Sequence, residues 1–198
     1  ASLLNLNPFS NSIMVFVVVV KYFIFSFIAY TVHRFLHIDS FFGEYISTPK
    51  LFFFTLAVFS LHTGFYLYGQ PETSSSFIAQ ALLKMSIEHS LFMIFTLIVV
   101  LPIAEELYFR GAIMGSILNM KVINNMTVRV TVSCILPSVL FSLIHVKYDH
   151  ISTFISLFSF SIIVSLARFL SKGILIPIFL HSFSMICVIG FGLLNSSR

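Results

Sequence analysis

Charge is scarce in this chain, tryptophan is absent, and the short signatures that most often mark a hydrolase are missing. Only 9% of its 198 residues are Asp, Glu, Lys or Arg, while 58% are hydrophobic. The mean hydropathy is +1.03. A soluble domain carries about 25% charged residues, so this composition excludes an ordinary soluble globule and reads as an integral membrane protein of the cell membrane. The formal net charge of +4 is dispersed along the chain, which excludes the clustered basic surface that nucleic acid requires. The two cysteines, Cys134 and Cys187, lie in apolar runs outside any CxxC or metal-binding spacing, and are expected to be inert core residues. No HExxH, no Gly-x-Ser-x-Gly and no internal repeat is present. Without tryptophan, tyrosines must supply any interfacial belt, and Tyr30, Tyr66, Tyr68 and Tyr148 stand near the ends of apolar runs.

What the chain has in abundance is uninterrupted apolar sequence. A spanning helix needs roughly 20 such residues. Runs of suitable length occupy about 13–32, 51–67, 92–118, 130–146, 151–170 and 174–194. The expected fold class is therefore all-α: a polytopic transmembrane bundle of about six spans, forming one domain over 1–198 with its motif-bearing core at about 92–194. Lys21 interrupts the first run. Residues 33–50 and 120–131 read as polar connectors, residues 70–76 (QPETSSS) as a loop, and 77–89 as an amphipathic stretch at the interface or at the start of the next helix. With the N-terminus outside, the inner connectors hold Arg34, Lys50, Lys121, Arg129, Arg168 and Lys172. The outer segments hold only Lys84, Lys147 and Arg198. The positive-inside rule then favours both termini outside.

Against this background one stretch stands out, Leu101-Pro-Ile-Ala-Glu-Glu-Leu-Tyr-Phe-Arg-Gly111. It sets two carboxylates and a guanidinium inside an apolar run. A charged side chain at the centre of a membrane helix costs about 2.5–3.5 kcal/mol on insertion scales, so these groups must face protein or a wet cavity. Glu106 and Arg110 stand at i and i+4 and can meet on one face, whereas Glu105 projects about 100° away. A Glu–Arg pair alone could simply lock helices together. A further acid beside it allows one carboxylate to act as a structural anion and the other as a general base. His145 closes one later span and His181 lies about a third of the way into the last. Single membrane histidines often bridge helices, but two of them with a di-acid suggest proton transfer. His33, His37 and His150 read as connector residues, Glu88-His89 as a local cap, and His62 as ambiguous. Two Glu and two His could also hold zinc, yet the helical i, i+4 histidine pair is absent. A serine nucleophile drawn from Ser142, Ser182 or Ser184 lacks its motif.

Glu-Glu-x-x-x-Arg at 105–110, Phe-x-x-x-His at 141–145 and a histidine in the final span resemble the three motifs of the CAAX prenyl protease and bacteriocin-processing (CPBP, or Abi) family of intramembrane peptidases. The Pro102–Gly111 pattern strengthens the likeness, which covers about half the chain. The resemblance implies that Glu105 and His145 polarise a water for attack on a peptide carbonyl, that Glu106 supports the site, and that Arg110 holds the acids. It also implies that His181 stabilises the oxyanion, with Phe141 in a supporting place. One departure is clear: the family's last motif is usually His-x-x-x-Asn, but the fourth residue after His181 is Met185. Methionine cannot donate a hydrogen bond, and Ser184 could partly substitute.

These readings lead to a glutamate-dependent intramembrane endopeptidase without a cofactor. Its expected partners are a peptide or membrane-anchored protein substrate and the lipid bilayer, with a role in peptide maturation or bacteriocin self-immunity. A non-catalytic scaffold or immunity protein, a zinc-dependent membrane protease and a proton-coupled transporter are the alternatives. The straight-helix geometry poses a test: Glu105, His145 and His181 would differ in depth by roughly 10 Å at 1.5 Å per residue unless Pro102 and Pro137 bend or shorten their helices.

Overall fold

The computed structural model describes residues 43–44, 46–70, 72–145 and 150–196, with seven scattered helical positions between 20 and 31. Most of the first expected span lies outside the described residues, as do Lys21, His33, Arg34, His37, Lys147 and Tyr148. Among the described residues the chain is predominantly helical, with no strand. Six helices follow in order: α1 (Thr48–Tyr68), α2 (Thr73–Lys84), α3 (Ile87–Leu118), α4 (Met126–Leu143), α5 (Ile151–Ser171) and α6 (Leu175–Ser196). All except α2 are long and apolar enough to cross a membrane. These five coincide with the last five apolar runs, and the protein is a membrane protein.

Local chemistry sets the ends of these elements. Ser47 precedes α1, Pro49 occupies its first turn, and Gly69 follows its last residue. Proline suits that first turn because its missing N–H would find no intrahelical acceptor there. Asn125 caps α4 with its side-chain oxygen, which accepts from the Val128 N–H at 3.2 Å and satisfies one of the orphan donors at a helix start. Between α5 and α6 the chain turns through Lys172 in the left-handed conformation. The segment before α1 packs against this turn: Glu44 N–H donates to the Ser171 carbonyl at 2.6 Å. Gly43 is obligatory there. Its φ is +71°, and a Cβ would stand 2.3 Å from the Ser171 carbonyl oxygen.

Two expectations change. The loop expected over 70–76 ends early, because α2 begins at Thr73. Immediately before it, Glu72 is buried. Its Oε1 accepts from the His150 backbone N–H at 3.2 Å and from the Thr153 hydroxyl. A carboxylate at the start of α5 meets unpaired N–H groups and the positive end of the helix dipole, so a polar segment that reads as a surface loop is pinned to another helix. The second change is Arg168. Counted with the inner connectors by sequence, it lies in the last turn of α5 and is fully buried. It is therefore a bundle residue and leaves the positive-inside count.

α4 packs along α5, α1 lies against α5 and α6, and α2 against α6. Small buried residues on α5, Ser161, Ser165 and Ala167, allow close approach, as small residues do between membrane helices. The core joins Phe54 and Val58 of α1 to Phe109, Phe141, Phe160, Val164 and Leu180. Outward faces carry Phe52, Phe53, Leu56, Ile135, Leu136 and Leu166, the apolar surface a bilayer solvates. Cys134 and Cys187 are buried and unbridged.

The Glu72 contact yields a stability test. Glu72→Ala removes two charge-assisted hydrogen bonds, each worth about 1.5–3 kcal/mol. A clear fall in thermal midpoint in detergent is expected, with Glu72→Gln falling less. An unchanged midpoint for Glu72→Ala would refute the role assigned to this carboxylate.

Candidate functional site

The acidic pair sits on an irregular part of α3. Residues Leu101–Glu106 are α-helical, but π-helical turns flank them at Thr96–Val100 and Leu107–Met114. Pro102 explains part of this, since it cannot donate to the turn before it and its ring crowds that turn. Wider turns relieve such crowding, and π-bulges concentrate at functional sites. Their consequence here is orientation. Glu105, Glu106, Leu107, Phe109, Arg110, Gly111 and Ala112 are all buried, so α3 turns most of this stretch inward.

Glu106 and Arg110 are both 0% exposed. Arg110 Nη1 donates to Glu106 Oε1 at 2.8 Å. Its Nη2 donates to the Ser161 hydroxyl at 2.7 Å and to the Ser161 carbonyl at 3.1 Å. The guanidinium also stands 5.2 Å from the centre of the Phe141 ring, within cation–π range. One arginine thereby ties α3, α4 and α5 together. A buried ion pair needs further hydrogen bonds to offset its desolvation; Ser161 supplies two of them to Nη2, while among the described residues Arg110 Nε and Glu106 Oε2 find none.

The same Glu106 Oε1 receives a second partner. His181 Nδ1 lies 2.7 Å from it, and since a carboxylate oxygen only accepts, Nδ1 is the donor. That contact fixes the ring, and Nε2 faces Glu105 Oε2 at 3.8 Å. Glu105 is 8% exposed and His181 3%. Arg110, Glu106, His181 and Glu105 thus form a continuous polar chain. A carboxylate on one ring nitrogen sets the tautomer and aim of the other. Two groups 3.8 Å apart can both reach one water at ordinary hydrogen-bond lengths.

His145 follows α4. Its Nδ1 donates to the Phe141 carbonyl at 2.7 Å, so Nε2 carries the lone pair of the neutral ring. Glu105 lies within electrostatic range of it. Phe141 packs between the two imidazoles, with ring centres 4.8 Å from His145 and 5.8 Å from His181. It also contacts Phe109 and Phe160. Glu105, Glu106, Arg110 and His181 therefore make one connected set, with Phe141 beside it and His145 at its edge. The depth mismatch is absent between α3 and α6. At 32 residues, α3 far exceeds one span, so position along its run does not measure depth.

Ser184 is buried, and its hydroxyl lies 2.7 Å from His62 Nε2 on α1. His62 also packs on Phe160, at 6.1 Å between ring centres, and Phe160 is 5.3 Å from His181. Sequence reading left His62 ambiguous and passed over Ser161 altogether. A histidine within an otherwise apolar run was the available signal for the first; the i, i+4 serines at 161 and 165 hinted at the second. His89 pairs with Ser86 at 2.6 Å at the start of α3, the local role expected for it. Among the described residues no group of three or more His, Cys, Asp or Glu stands in metal-holding geometry.

The comparisons with known proteins fall on this region. A family model described as type II CAAX prenyl endopeptidase Rce1-like matches residues 87–187, which hold Glu105, Glu106, Arg110, His145 and His181. An uncharacterized 24.3 kDa protein of Escherichia coli is 28% identical over 123 residues, covering 61% of this chain and 54% of that protein. The chain thus spans about half the length of this curated relative. No solved structure matches. With its family match over just over half of its length, and with both acids, Arg110 and His181 of that match in one connected set, the chain belongs to the Rce1-like family of type II CAAX prenyl endopeptidases.

Proposed function

We propose that the protein is a glutamate-dependent intramembrane endopeptidase of the cell membrane that acts without a cofactor. The observation that carries this reading is the buried polar chain in which Glu106 holds His181 at 2.7 Å while His181 faces Glu105 at 3.8 Å. Such an arrangement gives the two carboxylates different tasks. Glu106 is held in direct hydrogen bonds by Arg110 and His181, whereas Glu105 stands off from His181 at 3.8 Å and is the general base.

In the proposed reaction, Glu105 accepts a proton from water, assisted by His145, and the water oxygen bonds to the carbonyl carbon of the scissile peptide. The carbonyl π electrons move to oxygen, where the Nε2–H of protonated His181 donates to the oxyanion. As the C–N bond breaks, Glu105 returns the proton to the leaving nitrogen. The products are a carboxylic acid and an amine, and the acid's proton passes to the amine to leave a carboxylate and an ammonium group. The bundle shields this exchange from bulk water, which strengthens each electrostatic contact. The substrate is a peptide or membrane-anchored protein segment, and peptide maturation or bacteriocin self-immunity is the proposed setting.

Met185 favours a second reading, a scaffold or immunity protein that keeps the fold without turnover. The two readings part on a cleavage assay with a co-expressed membrane-anchored substrate. General-base catalysis contributes about 10²–10⁴ in rate, so Glu105→Gln and His145→Ala should each lose that much while remaining folded. Unchanged processing by both variants would rule out the peptidase. Chelation by EDTA or phenanthroline should leave the rate unchanged; a loss restored by zinc would support a metal-dependent protease instead. Arg110→Ala should be destabilised by about 3–5 kcal/mol, the usual cost of stranding one partner of a buried pair, as read by denaturant unfolding in detergent.

A further inference from the structure

A carbonyl oxygen that gains negative charge needs more than one hydrogen-bond donor. On α6, His181 supplies one through Nε2, its Nδ1 being held by Glu106. Met185, one turn further, supplies none. Ser184 lies three residues beyond His181, on the same side of the helix and about 4.5 Å along it at 1.5 Å per residue. Both side chains are buried, so the hydroxyl looks into the bundle and not toward lipid.

Its partner comes from outside the family match. His62 Nε2 on α1 stands 2.7 Å from Ser184 Oγ. His62 and His181 rest against the same ring, Phe160, at 6.1 and 5.3 Å, which places the Ser184–His62 pair next to the polar chain. A serine hydroxyl has one proton and two lone pairs. When His62 carries its proton on Nε2, it donates to Ser184 and leaves the serine proton to be given onward. Donor chains of this kind polarise one another.

We infer that Ser184 is a catalytic hydrogen-bond donor to the carbonyl oxygen of the scissile bond, and that His62 is the positioning residue that holds and polarises it. The inference rests on the peptidase reading above. The pair supplies the donor that Met185 cannot, and gives α1 a part in a site otherwise built from α3, α4, α5 and α6. No covalent step is involved: the Ser184 proton remains on its oxygen throughout.

The test uses the full chain in detergent or liposomes with a substrate that the unaltered protein cleaves in a Glu105-dependent manner. Ser184→Ala and His62→Phe should each lower kcat by at least tenfold, and about 10²-fold for the serine, with KM within twofold. Ser184→Thr keeps the hydroxyl and should stay within fivefold. His62→Gln keeps an N–H donor and should recover most of the loss seen in His62→Phe. Adding an amide donor one turn from His181, in the Ser184→Ala/Met185→Asn double variant, should regain at least tenfold over Ser184→Ala. A merely bridging role would lower the thermal midpoint and leave kcat alone. A kcat loss below tenfold in folded Ser184→Ala overturns the assignment, as does failure of Met185→Asn to rescue a folded double variant. If Ser184→Ala does not fold, Ser184→Cys is judged by the same tenfold limit. Loss in Glu105→Gln with retention in Ser184→Ala refutes this inference and leaves the peptidase reading standing. Cleavage that persists in Glu105→Gln refutes that reading, and this inference falls with it.

Discussion

One oxygen atom organises the centre of this bundle. Glu106 Oε1 accepts from Arg110 at 2.8 Å and from His181 at 2.7 Å, on a residue with no solvent exposure. Each of these groups alone would be costly to bury. Together they offset much of that cost and join α3 to α6, while Arg110 Nη2 reaches Ser161 on α5; among the described residues Glu106 Oε2 and Arg110 Nε find no partner. The position of His181 then follows, and with it the face that His181 turns toward Glu105. The same contacts meet the electrostatic need and set the geometry of the proposed site.

The irregular course of α3 is the second constraint. A regular α-helix of 32 residues would carry the two acids at a fixed angle and would give no reason for so much of one stretch to face inward. The π-helical turns on either side of Leu101–Glu106 alter that register, and Pro102 sits at the point where a regular helix would lose a hydrogen bond. Phe141 fills the space between the guanidinium and the two imidazoles, so the polar chain is bounded by rings.

Much of this was legible in the sequence because it depends on local spacing. Five apolar runs became five long helices. The i, i+4 relation of Glu106 and Arg110 became a 2.8 Å ion pair, and the di-acid and its histidine on α6 met as their motifs suggested. What was not legible depends on contacts between distant residues. Ser161 looked like one serine among many until α5 brought it to Arg110, 51 positions away. His62 gained meaning only when α1 packed against α6. Glu72 read as a loop residue because nothing local shows that the start of α5 lies above it. Arg168 read as a connector charge because charge alone does not distinguish a loop from the last turn of a helix. Depth failed for a related reason: counting 1.5 Å per residue assumes one straight span, and α3 is longer than that.

The central claim is that water itself attacks the scissile carbonyl, activated at Glu105, with no covalent link to the protein. Single-turnover cleavage in ¹⁸O-labelled water containing hydroxylamine tests this directly. Direct attack requires that the new carboxyl terminus carry one ¹⁸O and that no peptide hydroxamate form, because no acyl intermediate exists to be intercepted. A hydroxamate product, or a peptide fragment recovered covalently on Ser184 or another side chain, would contradict it.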